Sequence, residues 1–342
     1  MKSANFEYKK ICSNLIKGLP DRVSDVLVRR FGLKSGNKET LEAIGQSYDI
    51  TRERVRQIEE EGFSKVKPKI KEYQEVFDYF ADYLKPFGGV KKEDVLLSSL
   101  GGKKYQSHVY FLLTLAQDFE RHFEDKDFYS FWAKGKESVD SAKKVVALAV
   151  DKLKEHKKPV TLDELLKIQK NELSKVCGAK ECFNSYIEIS KNIQGNPDGQ
   201  IGLADWVEIN PRGIKDKAYL VIKKAGKSLH FTDVAKMIEN LAFFSQKKVH
   251  TATVHNELIK DSRFVLVGRG LYGLKEWGYE PGVVREIIAK VLKEAKTPLA
   301  KDEIVEKVLK QRMVKENTVF LNLQNKNYFV KDSTGKYAVK EA

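Results

Sequence analysis

Along the first 85 positions, apolar residues recur at helical spacing in blocks separated by short polar or proline-containing breaks. The spacing predicts helices over Phe6 to Lys17 and Asp21 to Phe31, with Leu19-Pro20-Asp21 as the punctuation between them. Leu33 to Glu39 reads as a polar loop leading to Thr40. Thr40 is placed to cap a helix with Leu41 and Ile44 on its buried side, and Gly45 offers a tight place for two helices to approach. Tyr48-Asp49-Ile50 makes a turn. Thr51 caps a second helix that ends near Val66, before Pro68. Val55 and Ile58, three apart, point at the core, while Arg52, Glu53, Arg56 and Gln57 lie largely on the opposite face. The pattern from Thr40 to Glu59 is that of a helix-turn-helix. Ile70, Tyr73, Val76, Phe77, Phe80, Tyr83 and Leu84 then predict one connecting helix from Lys69 to Lys85, broken by Pro86-Phe87-Gly88-Gly89.

Residues 90 to 135 give two or three further helical patterns. The aromatic run Phe128 to Trp132 reads as a core or strand segment rather than a base-stacking box, because aromatic clusters mostly fill interiors. From about residue 140 the chain repeats itself. Pro159 to Leu165, Ser228 to Val234 and Pro298 to Ile304 each lead into an acidic helix start. Thr253, Val254, Leu258, Phe264, Val265, Gly270 and Tyr272 match Thr318, Val319, Leu323, Phe329, Val330, Gly335 and Tyr337 at a constant offset of 65. Gly202 to Trp206 answers Gly273 to Trp277. Each of the last two units ends as a strand, a glycine turn and a second strand. Three helices followed by a hairpin make a winged helix, whose third helix, starting near Thr253 or Thr318, is the one that enters a major groove. The expected fold is mainly α, built of tandem helix-turn-helix and winged-helix domains with small β-hairpin wings. The expected divisions are 1–70, 71–138 (a connecting helix and a helical module, with a degenerate winged helix as an option), 139–211, 212–280 and 281–342.

The net charge of +14 and pI near 9.3 point to a polyanionic partner, most simply nucleic acid; double-stranded, promoter-like DNA is the partner that the resemblance described below implies. Runs such as Val145 to Val150 fall far short of the roughly 20 apolar residues that span a bilayer. Met1 to Glu7 lacks the apolar core of a signal peptide. No membrane partner is expected, and the location expected is the cytoplasm, at the nucleoid. Cys12, Cys177 and Cys182 are odd in number and define no disulfide framework, so reduced thiols are expected. Cys177 and Cys182 offer two metal ligands with nothing nearby to complete a site, and no metal is expected.

The exposed face of the second helix has the chemistry of a base reader. Arg pairs with guanine, Gln with adenine, and Glu accepts from cytosine. The plainer alternative is a surface helix laced with Glu–Arg pairs. The wording of the segment favours the reader. Leu19 to Arg22, Val26 to Leu33, Thr40 to Gly45 and Thr51 to Glu59, in this order and spacing, resemble region four of bacterial sigma factors, the module that reads the promoter −35 element. That resemblance implies DNA-facing roles for Thr40, Leu41, Glu42, Arg52, Glu53, Arg54, Arg56 and Gln57, with Thr51 capping beside them. It also implies RNA polymerase core as a candidate partner. The run Glu59-Glu60-Glu61 departs from the basic continuation of the family and would repel phosphate.

Leu229 to Ala235 and Gly268 to Leu274 resemble HARE-HTH winged helices, a family that includes the N-terminal domain of the delta subunit of bacterial RNA polymerase. Lys65, Lys67, Arg269 and Lys336 are the candidate phosphate or wing contacts. The third helices of the last two units, Thr253 to Lys260 and Asn317 to Lys326, carry no arginine, which favours protein contact or nonspecific DNA contact over base reading. His230 and His255 read as surface or cap residues.

Motifs of catalysis are missing: no GxxxxGK[ST] loop, GxSxG elbow or HExxH helix occurs. Carboxylate pairs such as Asp163-Glu164 and Asp302-Glu303 sit at helix starts, where the dipole favours them. The chain is read as no enzyme, with no catalytic residue, cofactor or small-molecule substrate. Three functions remain in order: a DNA-binding transcription factor or polymerase-associated regulator, a protein-interaction scaffold of helix-turn-helix modules, and a DNA-binding subunit of a nuclease system.

Overall fold

The structure is a computed structural model that describes residues 6–168, 179–241, 248–279, 282–311 and 314–340. It is mainly helical with small antiparallel sheets, and divides into two compact units, residues 1–205 and 206–342.

The first unit opens with α1 (Tyr8–Ile16), α2 (Asp21–Phe31), α3 (Leu41–Tyr48) and α4 (Arg52–Val66). The caps act as the sequence suggests. Thr40 Oγ1 accepts from the Ala43 N–H at 3.1 Å and Thr51 Oγ1 accepts from the Arg54 N–H at 3.2 Å. Asp49 closes the turn in the left-handed region at φ 53°. Gly45 is obligatory on steric grounds, because a Cβ there would lie 2.7 Å from the Ile50 carbonyl oxygen. Val23, Val26, Ile44, Val55 and Ile58 form a small core that locks α3 and α4 onto α2.

The sequence predicts one helix from 69 to 85. Instead a 3-10 segment runs Lys67–Tyr73 with Pro68 in its first turn, and α5 (Gln74–Leu84) follows. Pro68 lacks the N–H that an α-helix continuing from α4 would need, so the chain tightens and re-aims there. Next come β1 (Val90–Lys92), α6 (Glu93–Gly101), α7 (Gln106–Leu115), β2 (Phe119–His122) and β3 (Phe131–Lys134), with sheet order β1-β3-β2. The stretch read as helical thus contains β1 and β2, whereas β3 begins within the aromatic run read as core or strand. The first two are only three and four residues long around polar positions, too short to show a period.

Among the described residues the same order recurs as α8 (Lys136–His156), β4 (Val160–Thr161), α9 (Leu162–Ile168), α10 (Lys180–Glu188), β5 (Ile193–Gly195) and β6 (Gln200–Leu203), with sheet order β4-β6-β5. One large core runs through the first half of this unit, from Tyr8 and Leu27 to Phe111, Leu112 and Trp132. Phe111 lies 5.1 Å from Phe31 and 6.4 Å from Phe63, ring to ring. The helix-turn-helix and the segment after residue 70 therefore share an interior.

Both third helices here are turned inward. On α7, His108, Val109, Phe111, Leu112, Leu113 and Leu115 are buried, and the helix packs on α1 and α2. α10 packs on β1: Ser185 Oγ donates to the Val90 carbonyl at 2.5 Å, Tyr186 OH to the Gly88 carbonyl at 3.0 Å, and Lys91, 6% exposed, meets Glu188 at 2.7 Å. Cys182 on this helix is disulfide-bonded, against the expectation of reduced thiols. Cys177, the other candidate ligand of that pair, lies outside the described residues.

The second unit holds α11 (Gly213–Ala225), β7 (Leu229–His230), α12 (Phe231–Glu239), α13 (Thr251–Lys260), β8 (Phe264–Gly268) and β9 (Leu271–Leu274), with order β7-β9-β8. It continues with α14 (Val284–Ala295), α15 (Lys301–Gln311), α16 (Glu316–Leu323), β10 (Phe329–Lys331) and β11 (Tyr337–Val339). There an isolated bridge, Leu299 to Tyr337, stands where the other repeats have a first strand. The 65-residue offset is kept in three dimensions. Val254 and Val319, Leu258 and Leu323, and Phe264 and Phe329 are all buried. Gly270 and Gly335 turn their hairpins at φ 69° and 86°.

Candidate nucleic-acid interface

The first two turns of α4 present Arg52, Glu53, Arg54, Arg56 and Gln57 to solvent, with Val55 and Ile58 fully turned to the core behind them. Thr51 caps the helix; Thr40, half-buried Leu41 and Glu42 stand at the start of α3. The structure therefore gathers the sequence-derived residues at the ends of two adjacent helices that meet at Gly45. Arg54 Nη1 donates to Gln57 Oε1 at 3.0 Å, joining two of them.

Arg56 is different. Its guanidinium is held by Glu53 at 2.6 Å on one side and by Glu60 on the other. The spacing of three and four residues puts all three side chains on one stripe of the helix. The Arg56 guanidinium in turn holds the Glu53 carboxyl below the usual carboxylate range. A phosphate that approaches this triad meets two carboxylates around one cation. Glu60→Gln is therefore expected to raise affinity for any duplex and to steepen the fall of log K with log salt by about one phosphate contact. Anisotropy titrations over a salt series test this; unchanged affinity and slope would show that the triad does not restrain Arg56.

The rest of the acidic run has other work. Glu59 is half-buried, faces Arg30 at 3.5 Å and has its carboxyl pushed up mainly by burial. Glu61 pairs with Lys65 at 2.5 Å, which compromises Lys65 as a phosphate contact, whereas Lys67 is exposed. Behind the interface, Arg29 anchors the loop before α3 through Glu39 at 2.7 Å and the end of α3 through Ser47 at 2.8 Å.

In the second unit, Arg269 stands exposed between Gly268 and Gly270 at the β8–β9 turn, and Lys336 stands exposed beside Gly335. Asp332 organises that second turn by accepting from the N–H groups of Thr334 at 2.8 Å and Lys336 at 2.9 Å. The helix predicted to start near Thr253 begins at Thr251, and the one near Thr318 at Glu316. Ile259 and Leu321 on these helices are 62% and 69% exposed. His230 caps α12, and His255 stacks on Phe231 at 4.5 Å. Among the described residues no group of three or more His, Cys, Asp or Glu is placed to hold a metal ion, and no helix is long and apolar enough to cross a membrane.

Charge is partitioned along the chain. Residues 1–70 carry 15 Lys and Arg against 10 Asp and Glu, a net +5. Residues 71–205 carry 21 against 22, a net −1, and residues 206–342 carry 26 against 16, a net +10. The near-neutral stretch is the one whose third helices are buried.

Residues 15–67 match the family sigma-70, region 4. RNA polymerase sigma factor SigA of Microcystis aeruginosa is 46% identical over 54 residues, 16% of this chain and 13% of that protein. The protein of the same name from Lactococcus lactis subsp. cremoris is 47% identical over 49 residues, 14% of each chain. The similarity thus spans about a seventh of these relatives' length. It coincides with α2 to α4 and includes every α3 and α4 residue assigned to the interface.

Proposed function

We propose that the chain is a DNA-binding, RNA polymerase-associated transcription protein whose α4 reads a −35-like promoter element. The observation that carries this reading is the exposure of Arg52, Arg54 and Gln57 on the first turns of α4, within the segment that matches sigma-70 region 4. A recognition helix offers base contacts from those turns. The cytoplasm, at the nucleoid, is the location that fits this role, and the role calls for no enzymatic chemistry.

In this reading the four repeats, which among the described residues run helix, strand (an isolated bridge in the last), two helices and hairpin, are winged helices. The HARE-HTH resemblance extends it to the last two. The repeats at 71–134 and 136–203 have spent their third helices on packing, so they serve as scaffold. Residues 206–342, with net +10 and exposed Arg269 and Lys336 at their hairpin turns, are left to grip flanking DNA or polymerase.

The test is binding of the full chain to −35-like and scrambled duplexes across a salt series. Arg54→Ala and Gln57→Ala are expected to cost about 1–3 kcal/mol each on the −35-like duplex and little on the scrambled one. Equal binding of both duplexes by the wild type, unchanged in the variants, would sink the assignment of α4 as a reader.

A further inference from the structure

Two residues before the cap of α3, Lys38 lies with its ammonium 3.1 Å from the centre of the Tyr110 ring, a residue of α7. Arg121 of β2 approaches the same ring at 5.5 Å and is itself held by Glu93 at 2.8 Å, which also accepts from Trp132 Nε1 at 3.0 Å. Arg30, on the other side, faces Glu59. Each carboxylate of this cluster is thus engaged by an arginine. Among the described residues, Lys38 meets no carboxylate within 4.0 Å. Three cations against two carboxylates leave one positive charge without a counterion, beside the helix that crosses the DNA backbone in helix-turn-helix docking. A second observation points the same way. Phe123, just beyond β2, is 73% exposed with the Arg121 guanidinium 4.4 Å from its ring, an aromatic face next to a cation at the surface. Arg121 so placed adds to the positive potential that meets a duplex backbone, although the paired bases of a duplex offer the Phe123 ring no face to stack on.

We propose that Lys38, backed by Arg30 and Arg121, is a phosphate contact for the duplex flanking the element read by α4, so that the interface extends onto the repeat at 71–134. This rests on the reading above of α3 and α4 as a DNA-binding module. It adds a contact that arises only because α7 and β2 pack beside the loop before α3. The Lys38 side chain is exposed overall, but its ammonium lies against the Tyr110 ring, and this desolvation lowers its pKa to about 8, Glu93 opposing the fall and Arg121 and Arg30 adding to it. A bound phosphate would restore the proton, so binding through Lys38 takes up a proton in mildly alkaline solution.

The experiment uses the full chain as wild type, K38Q and K38R, with −35-like and scrambled duplexes over a salt series. K38Q is expected to weaken both complexes equally, by about tenfold at low salt, and to reduce the log–log salt slope by about 1. K38R is expected to restore both. Between about pH 7 and about pH 9 wild-type affinity should fall more than that of K38R, since a guanidinium keeps its charge. Wild-type affinity and slope in K38Q would overturn the proposal. So would a loss with unchanged slope that K38R fails to rescue, which marks a packing role and is read independently by thermal melting. A wild type that binds both duplexes alike removes α4 as a sequence reader but leaves the Lys38 slope measurable. A wild type that binds no duplex at low salt overturns both.

Discussion

Phe111→Ala is expected to destabilise the N-terminal unit by about 3–5 kcal/mol, because removing a fully buried phenyl group loses its transfer free energy and leaves a cavity. Phe111 is 0% exposed and sits against Phe31 from α2 and Phe63 from α4, although it belongs to the repeat after residue 70. The cavity therefore opens beneath both α2 and α4. Loss of hydrogen-exchange protection is expected in α4 and in β1 to β3 together, at the same denaturant concentration. If protection fell only in the repeat while α4 stayed as slow as in the wild type, the two segments would be independent domains and the shared core would carry no cooperativity.

Gly45→Val is the second large effect. Its Cβ would sit 2.7 Å from the Ile50 carbonyl oxygen, a clash with backbone that no rotamer relieves. Overpacking of this kind costs about 1–3 kcal/mol. The relief available is to move α3 away from the start of α4, which re-aims Arg52, Arg54 and Gln57. Loss of preference for the −35-like duplex should therefore accompany the loss of stability. A Gly45→Val protein that melts and discriminates like the wild type would show that the turn adapts, and that the fixed angle between α3 and α4 is not what positions the reader.

The helix-turn-helix was legible because its information is local. Two threonine caps, one glycine and apolar residues three and four apart fix α2 to α4 without reference to distant parts of the chain. The 65-residue repeat was legible for the same reason, through Gly270 and Gly335 and the buried positions around them. The triad of Glu53, Arg56 and Glu60 was implicit in helical spacing, yet charge pattern alone does not say whether an arginine faces a partner or its own neighbours. β1 and β2 were not legible, since Lys91 and Lys92 break any apolar alternation in the first and Glu120 and Arg121 in the second, whereas β3 begins in the aromatic run read as core or strand. Lys91 is buried only because Glu188 arrives from 97 positions away to pair with it. The packing of Lys38 on Tyr110, 72 positions apart, left no trace in either segment.

If the chain binds a promoter as proposed, the inward turn of α7 and α10 limits the footprint that residues 6–205 would leave there. Three helix-turn-helix elements in a row would suggest protection over several turns of duplex. With α7 and α10 inside the protein, and their repeat region at net −1, the proposed binding would have this unit meet DNA through the single module of α3 and α4, with Lys38 at its flank. Its protected region should be confined to about one turn of duplex, the spacing of a single major-groove encounter. Nuclease protection that reaches further then reports on residues 206–342 or on a bound partner, and deleting that basic half should shrink it back to the smaller mark.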